Sequence, residues 1–437
     1  MGSIVLEKHQ SEKAMALPDS SAVLYRNIHE AFPQVIRGEG SRLILADGRS
    51  ILDAAGGAAV SCIGHGDRRV KEAMVAQLEE VDEQGSEAME AAMKVARQFF
   101  LEKNPPEPNR TQFIARKQSY HGTTLGALSM GGHASRRAKF EPMLLDNISK
   151  VSPCFAYRHQ GPEESDKGYV SRLAHELDAE FQKLGPGNVC AFVAEPVVGA
   201  ALGCVPAVPG YFQAMRAVCD KYGALLILDE VMCGMGRTGT MHAWQQEGVV
   251  PDIQTIGKCL GGGYQPVAGL LLHSTVVDVF MKGSGAFAHG HTYQAHPLAC
   301  AAALEVQRII RKEGLIRNVA TLGSLLSTRL DELLSEHPNV GDIRGRGFFW
   351  GIELVADKST KAPFPASAGV TSGIVELGLK EPYCVALYPG NGTVNGVTGD
   401  HVIISPAYNT TAAEIEEIAS LVHRLINDYF ASCMRYG

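Results

Sequence analysis

Leu225-Leu226-Ile227-Leu228 is apolar on successive residues and stops abruptly at Asp229-Glu230-Val231. A strand wetted on one side alternates apolar and polar residues, so a strand with no polar face must be covered on both. Three more segments share this character: Phe113-Ile114-Ala115, Cys190-Ala191-Phe192-Val193-Ala194 and Val267 to Leu272. Amphipathic helical stretches such as Tyr169 to Gln182 and Tyr211 to Tyr222 lie between them. This alternation predicts an α/β domain on a mostly parallel sheet. In such sheets ligands bind in the crevice beyond the carboxyl ends of the strands. Glu195 and Asp229 stand at two of those ends.

The two ends of the chain read differently. Ser41 to Asp53 predicts a β-hairpin around Asp47-Gly48. Leu315 to Glu336 is a long helical pattern, and Phe348 to Leu354 reads as a strand. The last helix opens at a capping box, Thr411-Ala412-Ala413-Glu414, and carries Ile415, Ile418, Leu421, Val422 and Leu425 on one stripe. Residues 1–55 and 305–437 are therefore assigned to one smaller α+β domain, flanking a large domain of residues 56–304.

With 437 residues the chain can bury a large core. The net charge of −7 without a long basic run argues against nucleic-acid binding, and no apolar stretch approaches a membrane span. The N-terminus lacks the hydrophobic region of a secretory signal. Ten cysteines are scattered with no CxxC, which predicts reduced thiols, no zinc cluster and a cytoplasmic location, with mitochondria left open.

Asp229 ends a strand that should be buried, and a buried carboxylate needs a partner. Lys258 follows it between Gly257 and Gly261-Gly262-Gly263, glycines that let the backbone approach a bulky ligand. Taken singly, such an Asp is a structural ion pair or helix cap and such a Lys an exposed loop residue. Together they suit a cofactor that needs an acid at one end and an amine at the other. Pyridoxal phosphate is one: its aldehyde forms a Schiff base with lysine, and a carboxylate keeps its ring nitrogen protonated. Gly85-Ser86-Glu87-Ala88 opens a helix running to Phe100, either as a phosphate site or as a simple N-cap by Ser86. Tyr120-His121-Gly122 offers an aromatic that can stack on a planar ring or pack on the sheet. Thr292, in Gly290-His291-Thr292-Tyr293, can bind a phosphate or serve a plain loop. His291 and His296 lack a nearby carboxylate, so no metal site is predicted.

These motifs, with Glu195-Pro196, Gly236-Arg237-Thr238-Gly239 and Arg344-Gly345-Arg346-Gly347, resemble class III aminotransferases of the fold type I pyridoxal-phosphate family, from Gly38 to the last helix. The resemblance implies pyridoxal 5′-phosphate held on Lys258, with Asp229 at its ring nitrogen. It implies Val231 and Tyr120 on the two ring faces, with His121 beside them, Gly85 and Ser86 on the phosphate, and Glu195 as a supporting acid. Thr292 would reach the phosphate of the other subunit's cofactor, making a homodimer with shared active sites. The implied reaction moves an amino group from an amine or ω-amino acid-type donor to a 2-oxo acid. An aminomutase or decarboxylase on the same cofactor is the second reading.

Three departures from the family pattern stand out. Ile403 falls where members acting on α-amino acids place a carboxylate-binding arginine. Ala200 falls where those members place the glutamate that neutralises it. Loss of both implies a less polar site and a donor that need not be an ordinary α-amino acid. Third, Val70, Met74, Leu78 and Val81 form a helical stripe that runs into Gly85 with no strand before it. The family has a helix and an apolar strand there. Either a segment was skipped or the lineage diverged, and a catalytically impaired product is the third reading.

Overall fold

The computed structural model describes residues 33–78, 88–291 and 294–433. Its centre is a six-stranded sheet in the order Gly269–Leu272, Ile253–Ile256, Leu225–Asp229, Val189–Ala194, Gln112–Arg116, Ile148–Val151. Neighbours are parallel except at the first pair, Gly269–Leu272 with Ile253–Ile256, which is antiparallel. The apolar strands Leu225–Asp229, Val189–Ala194 and Gln112–Arg116 are covered on both sides, whereas Val267 to Leu272, expected to be covered likewise, forms only the edge strand Gly269–Leu272 and stays partly exposed. Ile114, Phe192, Leu226 and Leu228 pack toward helices Asp166–Leu184 and Tyr211–Tyr222. Phe113, Val193, Leu225 and Ile227 point the other way, into a cluster with Met89, Ala92, Ala96 and Phe100 of helix Ala88–Glu102. Each buried large side chain contributes about 1.5–3 kcal/mol.

Two sheet strands lack the apolar signature. Ile148–Val151 is an edge strand of mixed composition. Ile253–Ile256 buries two polar residues, Gln254 and Thr255, by hydrogen bonding both. The other edge, Gly269–Leu272, pairs only with Ile253–Ile256 among the described residues. It leaves Leu271 42% exposed, and Met281 on the following helix, Ser274–Lys282, 72% exposed. Among the described residues no strand lies between Ser50–Asp53 and Gln112–Arg116, and the helix Arg68–Leu78 carries Val70 and Met74 inward.

The hairpin forms as expected, Arg42–Leu45 pairing antiparallel with Ser50–Asp53 across a turn in which Gly48 takes φ 90°. Ser50–Asp53 also pairs, in parallel, with Val385–Ala386, which joins the two ends of the chain in one sheet. A second antiparallel sheet runs Val340–Arg346, Phe349–Leu354, Asp400–Ile404, Tyr388–Asn391. Helices Leu315–Leu334 and Ala412–Cys433 cover it, with Ile415, Ile418, Val422 and Leu425 of the expected stripe buried and Leu421 partly buried. The capping box is made in both directions: Glu414 N donates to Thr411 Oγ1 at 3.3 Å, and Thr411 N to Glu414 Oε2 at 2.8 Å. No helix among the described residues is long and apolar enough to cross a membrane.

Candidate active site

The strand Leu225–Asp229 delivers Asp229 to its carboxyl end, buried. Its Oδ1 accepts from the Val231 amide and the Thr255 hydroxyl, both at 3.0 Å, and its Oδ2 lies 2.7 Å from His121 Nδ1. Burial pushes this carboxyl up, but His121 and the two other donors outweigh it and hold it below its ordinary value. Asp229 is therefore an anion, and Nδ1 of His121 carries the proton it donates. The other ring nitrogen, Nε2, is buried with no hydrogen-bond partner among the described residues. A buried polar atom left unmet in the protein marks a place for a polar ligand.

Lys258 enters from the neighbouring strand. Ile253–Ile256 ends at extended Gly257, where a Cβ would stand 3.4 Å from Val231 Cγ1 and 3.5 Å from Ala268 Cβ. Lys258 itself takes φ 44°, a left-handed conformation that costs a non-glycine residue about 1 kcal/mol or more. Burial lowers its pKa, and Asp229 and Glu195 only partly restore it. The amine is thus more readily neutral, and so more nucleophilic, than a surface lysine.

Glu195, buried after Val189–Ala194, accepts from the amides of Tyr120 (3.1 Å) and Gly199 (3.2 Å). Burial raises its pKa, His121 pulls it back, and Asp229 adds to the rise. Its contact fixes the backbone of Tyr120, whose half-buried ring packs with Ala59, Ala200, Met232, Phe349, Tyr388 and Ile403. Ala200 and Ile403, far apart in sequence, fall in one buried apolar cluster against which Tyr120 packs.

The structure brings Lys258, Asp229, Glu195, His121, Tyr120 and Val231 to one place at the strand ends. Gly85, Ser86 and Thr292 lie outside the described residues. Thr255 escaped the sequence reading because its strand, Ile-Gln-Thr-Ile, has no distinctive pattern. Only the register, Thr255 opposite Asp229, reveals it. The residues present fit pyridoxal phosphate: a carboxylate held ionised at Asp229, a desolvated amine at Lys258 and an unmet ring nitrogen on His121.

The family model for class III aminotransferases matches residues 82–426. An aminotransferase of Gibberella zeae is 49% identical, over 92% of this chain and 85% of its own. The crystal structure of an (S)-enantioselective omega-transaminase from Thermomicrobium roseum superposes with TM-score 0.86 at 30% identity, over 94% of this chain and 96% of its own. An amine transaminase from an uncultivated Pseudomonas species, in its PLP-bound form, gives 0.84 at 30% identity, over 97% and 99%. The chain belongs to the class III aminotransferases, the pyridoxal-phosphate-dependent transaminases.

Proposed function

We propose that this transaminase takes its amino group from an amine or ω-amino acid and passes it to a 2-oxo acid. The observation that carries the donor class is the buried apolar cluster against which Tyr120 packs, in which Ala200 and Ile403 stand where members acting on α-amino acids carry a glutamate and an arginine. The omega- and amine-transaminase character of the structural relatives supports it.

In this reading bound pyridoxal phosphate supplies an electron sink for the carbon that bears the amino group. Asp229 supplies the negative charge that keeps the ring nitrogen protonated, and His121 and Thr255 hold that carboxylate ionised and aimed. Lys258, whose burial favours the neutral amine, would hold the cofactor through its aldehyde and would serve as the base for the proton at that carbon. Tyr120 and Val231 would hold the cofactor ring, and Glu195 fixes the Tyr120 backbone by accepting from its amide. Gly85, Ser86 and Thr292 lie outside the described residues; the family resemblance would give the first two to the phosphate and Thr292 to the cofactor of a second subunit. The nine free cysteines among the described residues support the cytoplasm as the location.

The test is an absorbance spectrum of the purified holoenzyme before and after a panel of donors without 2-oxo acid. Bleaching of the visible band by 1-phenylethylamine or β-alanine, with return on adding pyruvate, is expected. Bleaching by α-amino acids alone would overturn the donor class, and no bleaching by any donor would overturn amino transfer.

A further inference from the structure

Lys258 stands on a turn that its own sequence holds poorly. Gly257 precedes it, and Gly261, Gly262 and Gly263 follow two residues later. Glycine gives up more conformational freedom on ordering than any other residue, and Lys258 itself is left-handed at φ 44°. Within the turn, Leu260 N donates to Gly257 O at 2.9 Å. Gly261 N and Gly262 N both donate to Lys258 O, at 3.1 and 2.9 Å. These bonds use neither the Cys259 nor the Leu260 carbonyl.

Gln307 meets both. It stands on the helix Pro297–Lys312, and its Nε2 donates to Cys259 O at 3.0 Å and to Leu260 O at 2.9 Å. A primary amide carries a pair of N–H groups, so one side chain serves the two carbonyls at once. The nitrogen must face the turn, because the amide oxygen in its place would oppose two carbonyl oxygens. The helix seats closely here: a Cβ at Gly262 would lie 3.2 Å from Val306 Cγ1. The other side-chain contacts of the turn run through sulfur, a weak donor: Cys62 Sγ lies 3.4 Å from Cys259 O, and Cys259 Sγ 3.1 Å from Ala59 O. The remaining polar atom of Gln307, Oε1, is buried with no hydrogen-bond partner among the described residues. Its side chain is thus committed to the turn that carries Lys258, with a buried oxygen left unmet on the other side.

We propose that Gln307 is a positioning residue, holding the turn so that the Lys258 amine stands where it can serve as the base. This rests on the amino-transfer reading above. A reacting group displaced by about 1 Å can lose roughly 100-fold in rate. The test compares the wild-type holoenzyme with Gln307→Met, of matching length without a donor, and Gln307→Asn, which keeps the donor but is one methylene short. The rate of bleaching by 1-phenylethylamine is measured without 2-oxo acid over a range of amine concentrations. It is expressed per loaded site, counted from the visible band before mixing. Gln307→Met should lower the limiting rate about 10- to 100-fold, while the half-saturating amine concentration moves by less than about 3-fold. Gln307→Asn should fall between it and the wild type. A merely structural role would lower the melting temperature and the fraction of loaded sites while each loaded site bleaches at the wild-type rate, and that result overturns the proposal. Where Gln307→Met does not load, Gln307→Asn decides between the same two results. Bleaching of the wild type in the same series tells a failure of this assignment from a failure of amino transfer itself.

Discussion

His121 Nδ1 and Asp229 Oδ2 lie 2.7 Å apart, both buried at the carboxyl end of the central sheet. The carboxylate that must stay charged in a dry site is kept so by a neighbour, and by Val231 and Thr255, against the penalty of burial.

His121→Leu removes that donor and leaves the burial. The folded-state pKa of Asp229 is depressed, so its working anion is present above that pKa and lost as pH falls through it. With His121 gone the pKa rises, and the acid limb of kcat/KM should move to higher pH, with roughly a 10- to 100-fold drop in kcat. An acid limb at the wild-type position would show that His121 does not hold the charge.

Lys258→Ala should give a protein without the visible band of the lysine-bound cofactor and without a borohydride-reducible adduct at that position. It should also relieve the left-handed backbone at φ 44° only slightly, since alanine is also disfavoured there, so the melting temperature of the apoprotein should change little. Persistence of the band would sink the assignment of the amine.

Lys150 tests electrostatics away from the chemistry. It is half-buried, with its Nζ on the Ser129 and Met130 carbonyls, both at 2.7 Å. Burial lowers its pKa to about 7, Arg137 adding to the effect. Between that value and the ordinary lysine value the unfolded chain holds a proton that the folded one lacks. Lys150 therefore makes stability rise with pH in this window, by up to about 1.4 kcal/mol per pH unit. Urea unfolding of Lys150→Met from pH 7 to 9 should show a shallower rise; an unchanged slope would refute the shifted lysine.

Leu271, 42% exposed, stands on the sheet-edge strand Gly269–Leu272. An open apolar edge invites pairing between molecules. Leu271→Lys should slow aggregation in light scattering on warming, with stability changed by no more than about 0.5 kcal/mol. Equal scattering by the variant and the wild type would show that this edge is not where molecules meet.

The sequence by itself determined what is local. Runs with no polar face, such as Leu225 to Leu228 and Cys190 to Ala194, had to be strands covered on both sides. Asp229 had to sit at a strand end, and Lys258 had to stand where glycines let the chain approach a ligand. Those are consequences of burial and backbone freedom within a few residues. Ile253–Ile256 and Ile148–Val151 stayed hidden, because hydrogen bonding to distant partners, or an edge position, replaces the apolar signature that periodicity detects. Only the tertiary structure decided who stands beside whom. It set Thr255 in register with Asp229, closed His121 onto the same carboxylate, brought Ala200 and Ile403 into one buried cluster, and laid Arg136 on Tyr120. Strand order and register are fixed by packing summed over the whole core, and no short stretch of sequence carries that sum.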